Sequence, residues 1–121
     1  FDTGKKAEER EEPERFYHGF VLGLMVDLAD KYRITSNRES GLGRYDIMME
    51  PLEKNKRAYV IEFKVHKAKR EKDLEETAQN ALQQIAERNY DAELMARGIR
   101  KENIRHLGFA FWGKKVLIEQ E

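Results

Sequence analysis

Three residues have the types and spacing to do chemistry together: Asp46, Glu62 and Lys64. Side chains in Tyr59-Val60-Ile61-Glu62-Phe63-Lys64-Val65 alternate between the two faces of a strand, so Tyr59, Ile61, Phe63 and Val65 share an apolar face. Val60, Glu62 and Lys64 share the other. In the run before it, Tyr45, Ile47 and Met49 lie on one face and Asp46, Met48 and Glu50 on the opposite one. Pairing the two runs as a hairpin with their apolar faces together brings Asp46, Glu62 and Lys64 to one side. Two carboxylates and an ammonium on a core sheet are costly to desolvate without a partner, and a divalent cation is such a partner. Mg²⁺ takes octahedral oxygen coordination with one or two carboxylates. Asp46 and Glu62 are expected to supply those, and the backbone carbonyl of Phe63 a further oxygen. Lys64 is placed to orient or deprotonate a water, or to offset charge on a phosphate. Such a set suits phosphodiester hydrolysis.

The elements that must position these residues follow from hydrophobic period and turn signals. Phe16, Phe20, Leu24 and Leu28, with Tyr17, Val21 and Met25, predict an amphipathic first helix over residues 14–31, opened by Pro13. Glu14 and His18 share one face of its first turn. His18 reads either as a ligand or proton carrier, or as a helix-face histidine bonded near Glu14. Gly19 and Gly23, four apart, read as close packing against the sheet. A strand over 32–35, a turn-rich loop over 36–43, a strand over 44–50, a hairpin loop over 51–57 and a strand over 58–66 come next. The second helix, about 71–89, has Leu74, Ala78, Leu82 and Ile85 as its buried stripe and Thr77, Ala81, Gln84 and Arg88 as a flank near the acidic site. Asp91 is expected to cap a short helix over 92–97 that ends at Gly98. Two strands, 107–112 and 116–118, close the chain around Gly113-Lys114-Lys115. Phe109, Phe111 and Trp112 read as core, and His66 and His106 as strand-end or surface residues. Arg38 and Arg44 are candidates to touch a phosphate, or else to pair with Glu39 or Glu50. The basic run of Lys67, Lys69, Arg70 and Lys72, just past the Glu62 strand, reads as a solvated face or as a phosphate-tracking patch.

At 121 residues the chain is one domain. No run approaches a membrane span, and the absence of cysteine rules out disulfides and thiolate metal sites and fits a cytoplasmic home. Its formal net charge is zero, so any nucleic-acid binding must come from local patches rather than a whole-domain field. Residues 1–13 form a charged lead-in. A first residue of Phe rather than Met suggests part of a longer protein or a trimmed tag, with the domain proper over 14–121.

The Asp46, hairpin, Glu62-Phe63-Lys64 pattern resembles the Asp…Glu-x-Lys signature of the PD-(D/E)XK nuclease superfamily. Tyr45 stands where the proline that names the motif would be. The stretches Glu14-Arg15-Phe16-Tyr17-His18-Gly19-Phe20, Ser36-Asn37-Arg38-Glu39-Ser40-Gly41, Gly43-Arg44-Tyr45-Asp46 and Ala81-Leu82-Gln83-Gln84-Ile85 up to Tyr90 are similar to one prokaryotic family within it. That family is the nuclease-like domain of unknown function found after AAA-ATPase-like domains. The resemblance implies an α/β fold with a restriction-endonuclease-like core, a mixed central sheet flanked by helices in the order α-β-β-β-α-α-β-β. It implies a Mg²⁺ or Mn²⁺ site from Asp46 and Glu62 with Lys64 catalytic, an acidic residue from the first helix at Glu14, and a glutamine from the second helix at Gln84, with Gln83 and Gln79 as alternatives. Arg38, Arg44, Lys67, Tyr90 and His18 are the expected substrate contacts. The implied function is metal-dependent cleavage of nucleic acid, DNA in the first instance, with an upstream ATPase-like domain as a partner; a homodimer is a further candidate partner because cutting both strands of a duplex takes two sites. The alternative is a catalytically idle nuclease fold that serves as an interaction module beside such an ATPase.

Overall fold

Alternation in the middle of the chain builds the sheet that carries the acidic residues. A computed structural model describes Gly19, Gly23 and residues 26–39 and 44–121. Its strands are β1 (Tyr32–Glu39), β2 (Arg44–Pro51), β3 (Ala58–Val65), β4 (Ile104–Trp112) and β5 (Lys115–Gln120), arranged in that order across one sheet. The β1–β2, β2–β3 and β4–β5 pairs are antiparallel and β3–β4 is parallel, so the sheet is mixed. A parallel pair needs a crossover. Helix α1 (Leu74–Arg88), helix α2 (Tyr90–Ala96) and a 3₁₀ turn (Lys101–Asn103) supply it.

Each face of the sheet has its own core, divided as the period of two dictates. Ile47, Met49, Ile61, Phe63, Phe109 and Phe111 pack on one face, with Leu28 from the helical turn at 26–28 set against them. Phe63 is fully buried, with its ring centroid 5.0 Å from Phe109 at a tilted 56°, a favourable aromatic geometry. On the other face Met48, Ala58 and Val60 meet Leu82 and Ile85 of α1 and Leu94 of α2. Asp46, Glu62 and Lys64 belong to this second face, under α1.

Several local expectations need correction. The loop expected over 36–43 is strand as far as Glu39, because Ser36, Asn37, Arg38 and Glu39 each face a residue of β2 in register, and ladder pairing outweighs turn propensity. Asp91 does not cap the short helix. That helix begins at Tyr90, its N-cap position is Asn89 in the left-handed region (φ 54°), and the Asp91 carboxylate instead faces His106 Nε2 at 2.7 Å. Helix α1 starts at Leu74, where Asp73 accepts the Glu76 N–H at 2.9 Å. The inward face of α1 includes Thr77 and Ala81, first read as flank. Gly19 and Gly23 are exposed, and a Cβ on either would meet nothing within 4 Å. Close packing on a glycine occurs at Gly108 instead, where a Cβ would stand 2.6 Å from the Ala78 carbonyl oxygen of α1. Trp112 is not core: it is 47% exposed.

Candidate functional site

Antiparallel register sets Asp46 directly opposite Glu62, and parallel register sets Glu62 beside Gly108. The two carboxylates therefore occupy neighbouring strands at one level, roofed by α1 where Gly108 lets it come closest. Asp46 is 4% exposed and Glu62 is 0% exposed. Asp46 Oδ2 accepts from Arg88 Nη1 at 2.9 Å and from the Tyr90 hydroxyl at 3.1 Å. Both donors come from the α1–α2 junction, where the left-handed Asn89 turns the chain and aims Arg88 and Tyr90 at the same oxygen.

The even-numbered face of β3 continues past Glu62 through the half-buried Lys64 to His66. His66 is 7% exposed and sits in a buried polar cluster rather than on the surface. Thr77 Oγ1 donates to Glu71 Oε1 at 2.9 Å and stands 2.7 Å from His66 Nδ1. The Thr77 hydroxyl thus bridges the His66 ring and the Glu71 carboxylate, and it also reaches the Asp73 carbonyl at 3.3 Å. Glu71 also accepts from the Lys67 N–H at 2.8 Å and from Asn80 Nδ2 at 2.7 Å. Burial pushes the Glu71 carboxyl up. The Lys67, Asn80 and Thr77 hydrogen bonds, with the charge of Lys64, outweigh burial and hold it below its ordinary value. On the same pattern Glu50 is raised by burial and more strongly lowered by Lys54 (2.6 Å) and Arg97 (2.7 Å).

The α1 residues facing this row are Asn80, Gln84 and Arg88, four apart and thus in line along the helix. Asn80 reaches Glu71, Arg88 reaches Asp46, and the half-buried Gln84 lies between them. Gln79 and Gln83 are exposed, and Gln83 Nε2 donates to Glu87 at 3.4 Å. Of the expected site residues, Asp46, Glu62, Lys64 and Gln84 thus come to one face. Tyr90 is close by, on Asp46. Lys67 is exposed at the exit of β3. Glu50 is held by Lys54 and Arg97. Glu14 and His18, and the side chains of Arg38 and Arg44, lie outside the described residues. Among the described residues no group of three metal-ligating side chains occurs, so Asp46 and Glu62 stand there as a pair. A cleft of about 500 Å³ lined by Asp30, Tyr32, Pro51 and Lys56 lies at the far end of β2, away from these carboxylates. Sequence reasoning missed His66 and Glu71. The signal available was the even spacing of Glu62, Lys64 and His66 on one face of a strand.

A mixed sheet with an Asp on one strand facing a Glu-x-Lys on the next, under a helix, is the core of a nuclease-type α/β fold. The chain belongs to the PD-(D/E)XK nuclease superfamily, whose family profile matches residues 12–121. No curated protein and no solved structure matches it. Among the described residues no helix is long and apolar enough to cross a membrane.

Proposed function

We propose that this domain hydrolyses phosphodiester bonds in DNA with a divalent metal ion, Mg²⁺ or Mn²⁺. The observation that carries the reading is the direct register of Asp46 with Glu62, with Lys64 on the same face. Superfamily members generally use divalent metals. The donor set fits one: two hard carboxylates, both buried, stand opposite each other on adjacent strands, and oxygen ligands of this kind suit Mg²⁺ or Mn²⁺. Asp46 and Glu62 would hold the ion, with the Phe63 carbonyl and Glu14 as further oxygens. When bound it supplies Lewis-acid polarisation of phosphate and water. The remaining work belongs to side chains. Lys64 Nζ orients the attacking water and offsets negative charge on the phosphate. Gln84, between Asn80 and Arg88, steadies the substrate side of the site. Arg88 and Tyr90 fix the Asp46 carboxylate in the resting state.

The test is cleavage of plasmid and oligonucleotide DNA in Mg²⁺ or Mn²⁺ by the wild type, Glu62→Gln and Lys64→Ala. Either substitution is expected to lower the rate by about 10²-fold or more. Undiminished cleavage by Glu62→Gln would overturn the assignment. One observation favours the second reading, an idle fold acting as a partner for an ATPase-like domain: the Arg88 guanidinium already sits on Asp46. On that reading Mg²⁺ neither supports cleavage nor raises the melting temperature.

A further inference from the structure

At the end of β4, on the same face as the acidic pair, the structure holds a large aromatic surface that the proposed chemistry does not use. Parallel register pairs Glu62 with Gly108 and Lys64 with Ala110, so the next same-face neighbours are His66 and Trp112. Their rings lie against each other, with centroids 4.2 Å apart and planes inclined at 33°. The two partners are unequal. His66 is 7% exposed and fixed through Thr77, whereas Trp112 is 47% exposed. One side of the indole is therefore backed by an imidazole that the Thr77–Glu71 cluster holds in place, and a large part of the rest meets solvent.

The surroundings of Trp112 are basic. The His66 N–H donates to the Phe111 carbonyl at 2.7 Å, which keeps the exit of β3 beside the end of β4. From those two exits run Lys67, Lys69, Arg70 and Lys72 on one side and Lys114 and Lys115 on the other, all exposed, while the intervening Glu71 is buried. His66 is two residue steps past Lys64, so the indole lies about 7 Å further along the face than the lysine. An aromatic face beside exposed cations is the arrangement that binds an unstacked base and its phosphates: the ring takes the base and the cations take the backbone. A base stacked within an intact duplex has no free face to offer.

We infer that Trp112, backed by His66, is a stacking platform for an unpaired base of a DNA strand, and that the domain therefore takes single-stranded DNA, or DNA with an unpaired stretch, in preference to blunt duplex. This rests on the nuclease reading and names the substrate form for the same site.

Trp112 is the single tryptophan of the chain, so its fluorescence reports on the platform directly. The experiment titrates wild-type protein with a dT oligonucleotide and with a blunt duplex of equal length, in EDTA so that nothing is cut. Tryptophan emission is followed alongside the anisotropy of labelled DNA. The inference expects quenching by the single strand, tighter binding of single strand than duplex, and a loss of affinity of about five-fold or more in Trp112→Leu. Trp112→Phe, which keeps an aromatic face, should recover most of that loss, and circular dichroism verifies that each variant is folded. Binding of both DNA forms with equal affinity and no quenching overturns the inference and leaves the nuclease reading standing. Absence of binding to either form at low salt also overturns the inference, while the nuclease reading is decided separately by cleavage in Mg²⁺ or Mn²⁺.

Discussion

Asp46 Oδ2 accepts two hydrogen bonds, one of them from a guanidinium, so at the residue scale the site in its resting state is neutralised by Arg88. A cation entering at Asp46 competes with that arginine. Arg88→Met is expected to cost about 2 kcal/mol of stability without metal, since it leaves a buried carboxylate with a weaker set of donors. It should also enlarge the rise in melting temperature on adding Mg²⁺, because binding to the folded state is no longer opposed. Thermal melts of both proteins with and without Mg²⁺ measure this, and a smaller Mg²⁺ effect in the variant would mean that Arg88 assists the ion. Glu71 gives a second residue-scale expectation. Its folded carboxyl titrates below its ordinary value of 4.5, so the folded state binds fewer protons than the unfolded chain in that range. Its stabilising contribution is therefore complete above that ordinary value and is lost as pH falls through the lower folded value. Urea midpoints for wild type and Glu71→Gln should differ at neutral pH and converge as acidification carries the solution through the lowered folded value. A gap that is constant with pH would show that Glu71 acts by packing alone.

The elements show which parts of this architecture a reader of the sequence can reach. The alternation of Tyr59 to Val65 and of Tyr45 to Glu50 decides which side chains share a face of the hairpin, so the common face of Asp46, Glu62 and Lys64 follows from local pattern. The register of Asp46 opposite Glu62 does not, because a slip of two residues keeps the same faces. The inward face of α1 was less legible because it depends on Gly108, a residue on a strand 20 or more positions away. Nothing in the helix itself announces that Thr77 and Ala81 will be fully buried. The α1–α2 junction was opaque for a similar reason. Asp91 has the composition of a cap, but the chain turns one residue pair earlier at Asn89, and Asp91 is drawn to His106 on β4. Gly108→Ala tests this level. The added Cβ meets a backbone oxygen at 2.6 Å, which cannot move aside as a side-chain tip would, so α1 must shift. The expected destabilisation is about 1–3 kcal/mol in a urea melt, the range for overpacking a core. Cleavage should fall as well, because the row from Asn80 to Arg88 rides on α1. A neutral melt would show that α1 has slack over the sheet.

Across the whole molecule the formal charge sums to zero, yet its distribution is uneven, and this is where composition alone misleads. The exits of β3 and β4 bring Lys67, Lys69, Arg70, Lys72, Lys114 and Lys115 to one edge, although the two groups lie more than 40 positions apart in the chain. Parallel pairing of β3 with β4 creates that edge, and the same pairing puts His66 against Trp112. Strand ends at a hairpin are also where a tryptophan in an apolar run emerges from the core, as Trp112 does beside Gly113 at φ 60°. A neutral protein that gathers a basic edge such as this should bind nucleic acid weakly at a distance and engage few phosphates there. With about four phosphates neutralised on a single strand, log Kobs should fall with log salt at a slope of about −3. Replacing Lys67 or Arg70 by Ala should reduce the magnitude of that slope by about 0.7 each while leaving the preference between DNA forms unchanged, since phosphate contacts carry affinity and position rather than recognition of the base. Anisotropy titrations from 25 to about 300 mM salt cover the range where counterion release dominates. A slope that is flat, or that is unchanged in Lys67→Ala and Arg70→Ala, would move the nucleic-acid contact away from this edge.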